Sequence, residues 1–317
     1  MTRLTRRAFG AIAAACVVAA AIPVLAQPVG TLKIGYQKTN LPVIARQQGL
    51  VEAALEPLNT RVQWVEFTAG PPLVEALNAG AVDVGWTGDA PPIFGQAAGA
   101  NITYVAALPA AGLGEAVIAR PGTGITTLAD LRGKQVAVGK GTSAHNTLVA
   151  ALESAGLDFD DIQPVYLAPA DAGAAFASGN VDAWSIWDPF LAIAEVRHNP
   201  DVLVRADDVV DVQTWFLANG SYASGNAPVI LATLGALEQA AEWADAHRDQ
   251  VAQALHEVTG VPIEAQRLAA DRAAFGIFQI TPQMIAEQQA TADRFHRLGL
   301  IPQQINVADA IWHRPEE

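Results

Sequence analysis

The sequence predicts an α/β protein of two similar lobes, each a mostly parallel sheet flanked by helices, with a cleft between them. Three observations carry this. Residues Pro71–Pro92, PPLVEALNAGAVDVGWTGDAPP, read as a helix, a tight glycine turn, a short buried strand and a Gly-Asp-Ala-Pro-Pro stop. Residues Pro169–Phe190, PADAGAAFASGNVDAWSIWDPF, repeat that order, and Gly80, Val82, Asp83 and Asp89 fall opposite Gly179, Val181, Asp182 and Asp188 without a gap. The rest of the chain alternates strand and helix patterns with short connections, which argues for parallel sheets. Ligands in open α/β sheets collect at the carboxyl ends of strands. Two repeated strand ends therefore mark a shared cleft.

Before the first strand, Arg3, Arg6 and Arg7 precede an Ala/Val-rich apolar run, Ile12–Ile22, and Val24-Leu25-Ala26 offers a small-residue cleavage site. This is the pattern of an export signal over residues 1–26. Thr5-Arg6-Arg7-Ala8-Phe9 resembles a twin-arginine signal, with the general secretory route as the alternative. The apolar run is shorter than the ~20 residues a permanent membrane span takes. The only cysteine, Cys16, lies inside this segment, either as a lipid-anchor site or removed with it. Once it is removed, no thiol remains for a disulfide, a metal or nucleophilic chemistry.

The strands follow in turn. Thr31–Gly35 alternates apolar residues and ends in the polar loop Tyr36–Asn40, which opens a helix from Leu41 to Gln48. Val62–Phe67 is the second strand, and Gly70-Pro71-Pro72 starts the next helix, where proline loses nothing by lacking an N–H. Val82–Trp86 and Thr103–Leu108 are strands three and four; Glu115–Ala119, Gln135–Gly139 and Val165–Leu167 build the second lobe. A helix is read over Thr147–Ala155, and Thr126–Leu131 has a capping pattern. Residues 27–114 and 223–317 are expected to form one lobe and 115–222 the other, with strand Thr214–Ala218 already returning to the first. Beyond Asn226 the pattern is helical, most clearly over Glu242–Val258, with Pro262, Pro282 and Pro302 as punctuation.

Composition narrows the function. The chain of 317 residues is 51% hydrophobic and 16% charged, and its net charge of −13 leaves no basic stripe for nucleic acid. Six histidines show no metal-ligand spacing, and no GxSxG elbow, P-loop or GxGxxG motif follows a strand. No cofactor and no metal are expected.

What remains is a set of helix starts. Lys140–Asn146 follows a buried strand and feeds a helix, so its backbone N–H groups, with Ser143 and Asn146, suit an anion; the alternative is an ordinary cap. Gly70-Pro71-Pro72 and Thr87-Gly88-Asp89 are two more such positions. Trp187 beside Asp188 reads as a cleft wall, whereas Trp184 reads as core. Asp89 and Asp188 are paired by the repeat; they are either turn caps or an acid–base couple.

Several strings together resemble the periplasmic aliphatic-sulfonate-binding proteins of ABC transporters, within the wider group that binds sulfonates, taurine and nitrate. They are IGYQK (Ile34–Lys38), WVEFTAGPPLVEALNAGAVDVGWTGDAPPIFGQAAGA (Trp64–Ala100), KGTSAHNTL (Lys140–Leu148), DIQPVYLAPADAGAAFASGNVDAWSIWDPF (Asp161–Phe190) and QQATADRF…RLGLIP (Gln288–Pro302). The resemblance implies a type II periplasmic binding fold that closes by a hinge on a sulfonate. It implies a membrane permease as partner, a monomeric state and no catalytic role. By the same resemblance Gln37, Gly70, Pro71, Pro72, Leu73, Thr87, Gly88, Asp89, Ser143, Ala144, His145, Asn146, Trp187 and Asp188 line the pocket, with Trp215 as a further aromatic wall. Asp89 and Asp188 would repel a bare sulfonate, so they are expected to bond backbone donors or to meet a ligand amine. The competing readings are nitrate or another oxyanion as ligand, a sensor domain, and an enzyme of this fold with His145 as its one candidate group.

Overall fold

The computed structural model describes residues 30–109 and 112–315, so the export segment and Cys16 lie outside the described residues. The chain opens with β1 (Gly30–Tyr36), α1 (Asn40–Gln48), α2 (Leu50–Leu55), β2 (Thr60–Glu66), α3 (Gly70–Asn78), β3 (Val84–Gly88), α4 (Ala90–Ala97) and β4 (Ile102–Leu108). It then crosses to a second sheet through β5 (Glu115–Ala119), β6 (Gln135–Val138), α5 (Ser143–Ser154), β7 (Gln163–Tyr166), α6 (Pro169–Ser178), β8 (Ala183–Trp187), α7 (Phe190–His198) and β9 (Asp201–Arg205). β10 (Thr214–Asn219) crosses back, and α8 (Gly220–Gly225), α9 (Ala227–Ala246), α10 (Arg248–Thr259), α11 (Ile263–Arg272) and α12 (Pro282–Arg297) follow.

The two five-stranded sheets share one topology. Their orders are β2-β1-β3-β10-β4 and β7-β6-β8-β5-β9. In each, the strand that has just crossed over is the antiparallel one: β10 between β3 and β4, and β5 between β8 and β9. The other strands run parallel, so their carboxyl ends point the same way within each sheet. Each sheet is sandwiched. Leu32, Ile34 and Val84 pack under α1, α2, α9 and α10, and Leu73, Ile93, Tyr104 and Phe295 fill the other face. In the second sheet Val136, Val138 and Leu148 fill the α5 face, and Ala137, Phe176 and Trp184 the α6 and α7 face.

The repeat read from sequence appears as matched local structure. Gly80 and Gly179 both follow a helix with φ of 67° and 79°, the left-handed turn that a side chain would strain. Asp83 then accepts from the Lys33 N–H at 2.7 Å and Asp182 from the Gln135 N–H at 3.0 Å, tying incoming β3 to β1 and incoming β8 to β6. Asp89 accepts from the Ala90 N–H at 2.7 Å, and Asp188 from the Ala192 N–H at 2.9 Å, each at the start of the following helix.

Three sequence expectations are corrected. Helix α5 begins at Ser143, four residues ahead of the expected Thr147. Strand β9 was not foreseen; it is a half-exposed edge strand paired only with β5, so it lacks the apolar run of a central strand. The amphipathic stretch Glu242–Val258 is two helices, because His247 leaves helical geometry (φ −133°, ψ 45°) with its ring stacked on Trp243. The return strand read at Thr214–Ala218 is β10, which lies in the first sheet between β3 and β4.

Candidate functional site

A cleft of about 140 Å³ lies where the carboxyl ends of the two sheets face each other. Gln37 follows β1, Gly70 follows β2, and Thr87-Gly88 end β3; from the other lobe come Ser143 after β6 and Trp187-Asp188 at the end of β8. Parallel strands joined by helices put these loops on one rim, which is why a strand–turn–helix sequence could reveal them.

The rim is built for close approach. A Cβ on Gly70 would fall 1.9 Å from Thr87 Oγ1 and 2.5 Å from Pro91 Cγ, so no side chain fits there. A Cβ on Gly88 would lie 2.8 Å from Ser143 Cβ in the opposite lobe. The helix starts are left open toward the cleft. Thr142 spends its hydroxyl on the Gly139 carbonyl at 2.7 Å and does not cap α5, so the first N–H groups of that helix have no side-chain acceptor. Ala69 provides no cap to α3, and Pro71 and Pro72 bring no N–H, leaving Gly70 and Leu73 as donors in that turn. Thr87, 2% exposed, has a hydroxyl with no hydrogen-bond partner among the described residues. Fixed N–H dipoles and an idle buried hydroxyl suit an anion that never takes up a proton.

Apolar surface completes the cleft: Trp187, Trp86, Leu41, Pro42 and Leu108 line it. Three charged groups line it as well: Asp188, Arg272 and Glu115. Arg272, from the end of α11, pairs with Glu195, and its Nη1 is 3.8 Å from Asp188 Oδ2. Burial pushes the Asp188 carboxyl up to about 6, against the opposing pull of Arg272. Glu115, 3% exposed at the start of β5, is bonded by the hydroxyls of Ser143 (2.7 Å) and Thr147. Burial raises its pKa too.

Of the residues expected at the site, Gln37, Gly70, Thr87, Gly88, Ser143, Trp187 and Asp188 line the cleft. The others stand behind it or away from it. Pro71 and Pro72 form the first turn of α3, and Leu73 is buried beneath it. Ala144 is core packing under α5. Asp89 and Asn146 bond each other across the lobes at 2.6 Å, and Arg294 donates to the far side of the Asn146 amide at 3.1 Å. His145 is wholly enclosed among the rings of Phe94, Phe159, Tyr166 and Phe295, with Nδ1 accepting from the Gly141 N–H at 3.2 Å. Burial first, and Lys140 second, hold it down at about 4, so it is a neutral aromatic filler. Trp215 is fully buried, edge-on to Tyr104 at 5.2 Å, because the alternation of β10 turns it into the core.

Glu115 and Arg272 were missed. A lone acid opening the apolar strand EAVIA was a usable signal; nothing around Arg272 marks it, since its place depends on how the C-terminal helices wrap onto α7. Among the described residues no group of three or more His, Cys, Asp or Glu is placed to hold a metal ion. No helix among them is long and apolar enough to cross a membrane.

Comparison with known proteins bears on the family and the fold. Residues 61–251 match the family model described as NMT1/THI5 like. The alkanesulfonate-binding protein SsuA from Xanthomonas axonopodis pv. citri, solved bound to MOPS, is 38% identical, with a TM-score of 0.85 covering 89% of this chain and 98% of that one. The periplasmic aliphatic sulphonate binding protein SsuA from Escherichia coli is 39% identical, with a TM-score of 0.82 over 90% of this chain and 93% of the other. The desulfurization enzyme DSZB is 18% identical with a TM-score of 0.67, over 90% of this chain and 97% of its own, a likeness of fold alone.

Proposed function

The chain belongs to the NMT1/THI5-like family, and from that premise we propose that it is an extracytoplasmic solute-binding protein that captures aliphatic sulfonates and delivers them to an ABC transporter permease. The observation that carries this is the pairing, in one cleft, of uncapped helix starts and the idle Thr87 hydroxyl with an apolar wall containing Trp187. The sulfonate oxygens face the N–H groups of Gly70 and Ser143, and the alkyl chain lies against Trp187 and Trp86. A fully ionised sulfonate cannot be held by proton exchange, so preset donors serve it better than a titrating partner. Thr214 and Gln37 add side-chain polarity at the rim.

The protein works as an exported monomer, its export segment removed near Ala26, and the permease reads the outer faces of the two lobes once they have closed. A catalytic role has less support: the one histidine weighed for it, His145, is enclosed among aromatic rings outside the cleft. A sensor role would leave the same ligand site unchanged.

Titration with ethanesulfonate, taurine, nitrate and sulfate tests the reading, followed by tryptophan fluorescence and heat. Buffers such as MOPS are themselves sulfonates and must be left out. Saturable ethanesulfonate binding with a tryptophan signal, and none with nitrate, is expected. Trp187→Phe should remove most of that signal and weaken binding about tenfold, ~1.4 kcal/mol, through lost ring contact. Silence toward every sulfonate would sink the ligand assignment.

A further inference from the structure

Asp89 and Glu115 come from different lobes, yet both are buried beside the anion end of the cleft, at 1% and 3% exposure. Among the described residues neither is bonded to a cation. Asp89 receives the Ala90 N–H and the Asn146 amide, and Glu115 receives the hydroxyls of Ser143 and Thr147. On α12, Arg294 reaches Asn146 rather than Asp89, and Gln288 donates to the Asp89 carbonyl and to Tyr104 of β4. On β9, Arg205 is spent on the Leu113 carbonyl and Glu195; at the end of α11, Arg272 pairs with Glu195 and with Asp188, the third carboxylate of the cleft, whose N–H donates to the carbonyl of Gly114 beside Glu115. On α5, His145 is turned to Gly141, with Lys140 over the Tyr166 ring.

We propose that the Asp89–Glu115 pair is a proton-binding site coupled to the cleft, so that the protein takes up one proton together with its anionic ligand. This rests on the sulfonate reading above. Two buried carboxylates without a counter-ion already repel each other, and an anion at Ser143 adds a third negative charge. Burial raises both carboxyls, Asp89 to about 7, with Glu115 adding to the rise. The hydrogen bonding gives the coupling a direction. While Glu115 is ionised, the Ser143 O–H must donate to it and is lost to the cleft. When a proton from solvent sits on Glu115, that O–H donates to Ser143 Oγ, and the Ser143 hydroxyl is released to donate to the ligand. The ligand itself does not titrate, so any pH dependence belongs to the protein.

The test is calorimetry of ethanesulfonate binding to the intact protein in imidazole and in phosphate, buffers of high and low ionisation heat that contain no sulfonate. The heats should differ by the equivalent of up to one proton taken up near neutral pH, and affinity should fall by up to about tenfold per pH unit above the pair's titration. Glu115→Gln, with Asp89→Asn as a second variant, should flatten that slope and reduce the proton count. Buffer-independent heats with pH-flat affinity in the unaltered protein would overturn the proposal without touching the sulfonate assignment. So would taurine binding more than about tenfold tighter than ethanesulfonate without proton uptake, since a ligand ammonium would then face the carboxylates. If no sulfonate binds, the ligand reading falls and this inference falls with it.

Discussion

Gly88→Val is expected to cost at least about a hundredfold in ligand affinity, ~2.7 kcal/mol, while leaving the fold of each lobe intact. The three atoms nearest to a Cβ at Gly88 all belong to Ser143 of the opposite lobe, at 2.8, 3.1 and 3.8 Å. Ordinary carbon contacts begin near ~3.5 Å, so even one methyl pushes the lobes apart, and valine adds two more. That separation is transmitted along the seam. The Asn146–Asp89 bond at 2.6 Å lies one turn away, and the bonds of Arg294 and Arg297 to Glu153 at 3.0 and 2.7 Å extend it to the rim. A site assembled from two lobes loses its second half when they cannot meet, whereas each lobe's core keeps its packing. The thermal midpoint of the free protein should move only slightly, since substitutions outside a core usually stay within about 0.5 kcal/mol. Calorimetry with ethanesulfonate, paired with a melting curve, reads both. Unchanged affinity would show that Gly88 and Ser143 do not need to touch in the bound state.

Where the sequence repeated itself, the structure was legible from it. Gly80 with Gly179 and Asp83 with Asp182 were aligned as letters, and they turn out to make the same turn and the same strand-to-strand bond. The reason is local: a helix, a left-handed glycine and a buried strand are specified within a few residues, so their grammar survives in one dimension. Asp89 and Asp188 show the limit of that logic. Each accepts a first-turn N–H of the next helix, one of the two readings the repeat left open, but one meets Asn146 and the other Arg272. Partners supplied by distant elements leave no trace near the residue itself. Trp215 failed for a related reason. Thr214 and Trp215 alternate across β10, and only the pairing register decides which of them reaches the cleft; it is Thr214. His145 sits in a motif that faces the cleft through Ser143, yet helical spacing carries its ring around to the aromatic cluster behind.

Arg272→Leu should destabilise the protein by about 3–5 kcal/mol near neutral pH, the usual consequence of stranding a buried carboxylate. Arg272 is 13% exposed and is shared between Glu195 and Asp188, which are 18% and 8% exposed. Glu195 keeps a second cation, Arg205 at 3.0 Å, but among the described residues the Asp188 carboxyl has only the backbone N–H of Ala192 in hydrogen bonding. Its folded pKa, already lifted by burial to about 6, is held from rising further by Arg272. A carboxyl raised in the folded state stabilises when protonated, and that contribution is lost as pH rises through the folded value. Removing Arg272 lifts that value higher, so the deficit should be large at about pH 7.5 and should narrow as pH falls toward about 5. Urea unfolding at those two pH values measures it. Arg272→Lys should recover part of the loss, because an ammonium restores the charge but cannot span both carboxylates as a planar fork does. Since Arg272 also lines the cleft, both variants should weaken sulfonate binding, the leucine more than the lysine. A deficit that stayed the same at both pH values would place the effect in the packing of α11 on α7 instead of in the charge of Asp188.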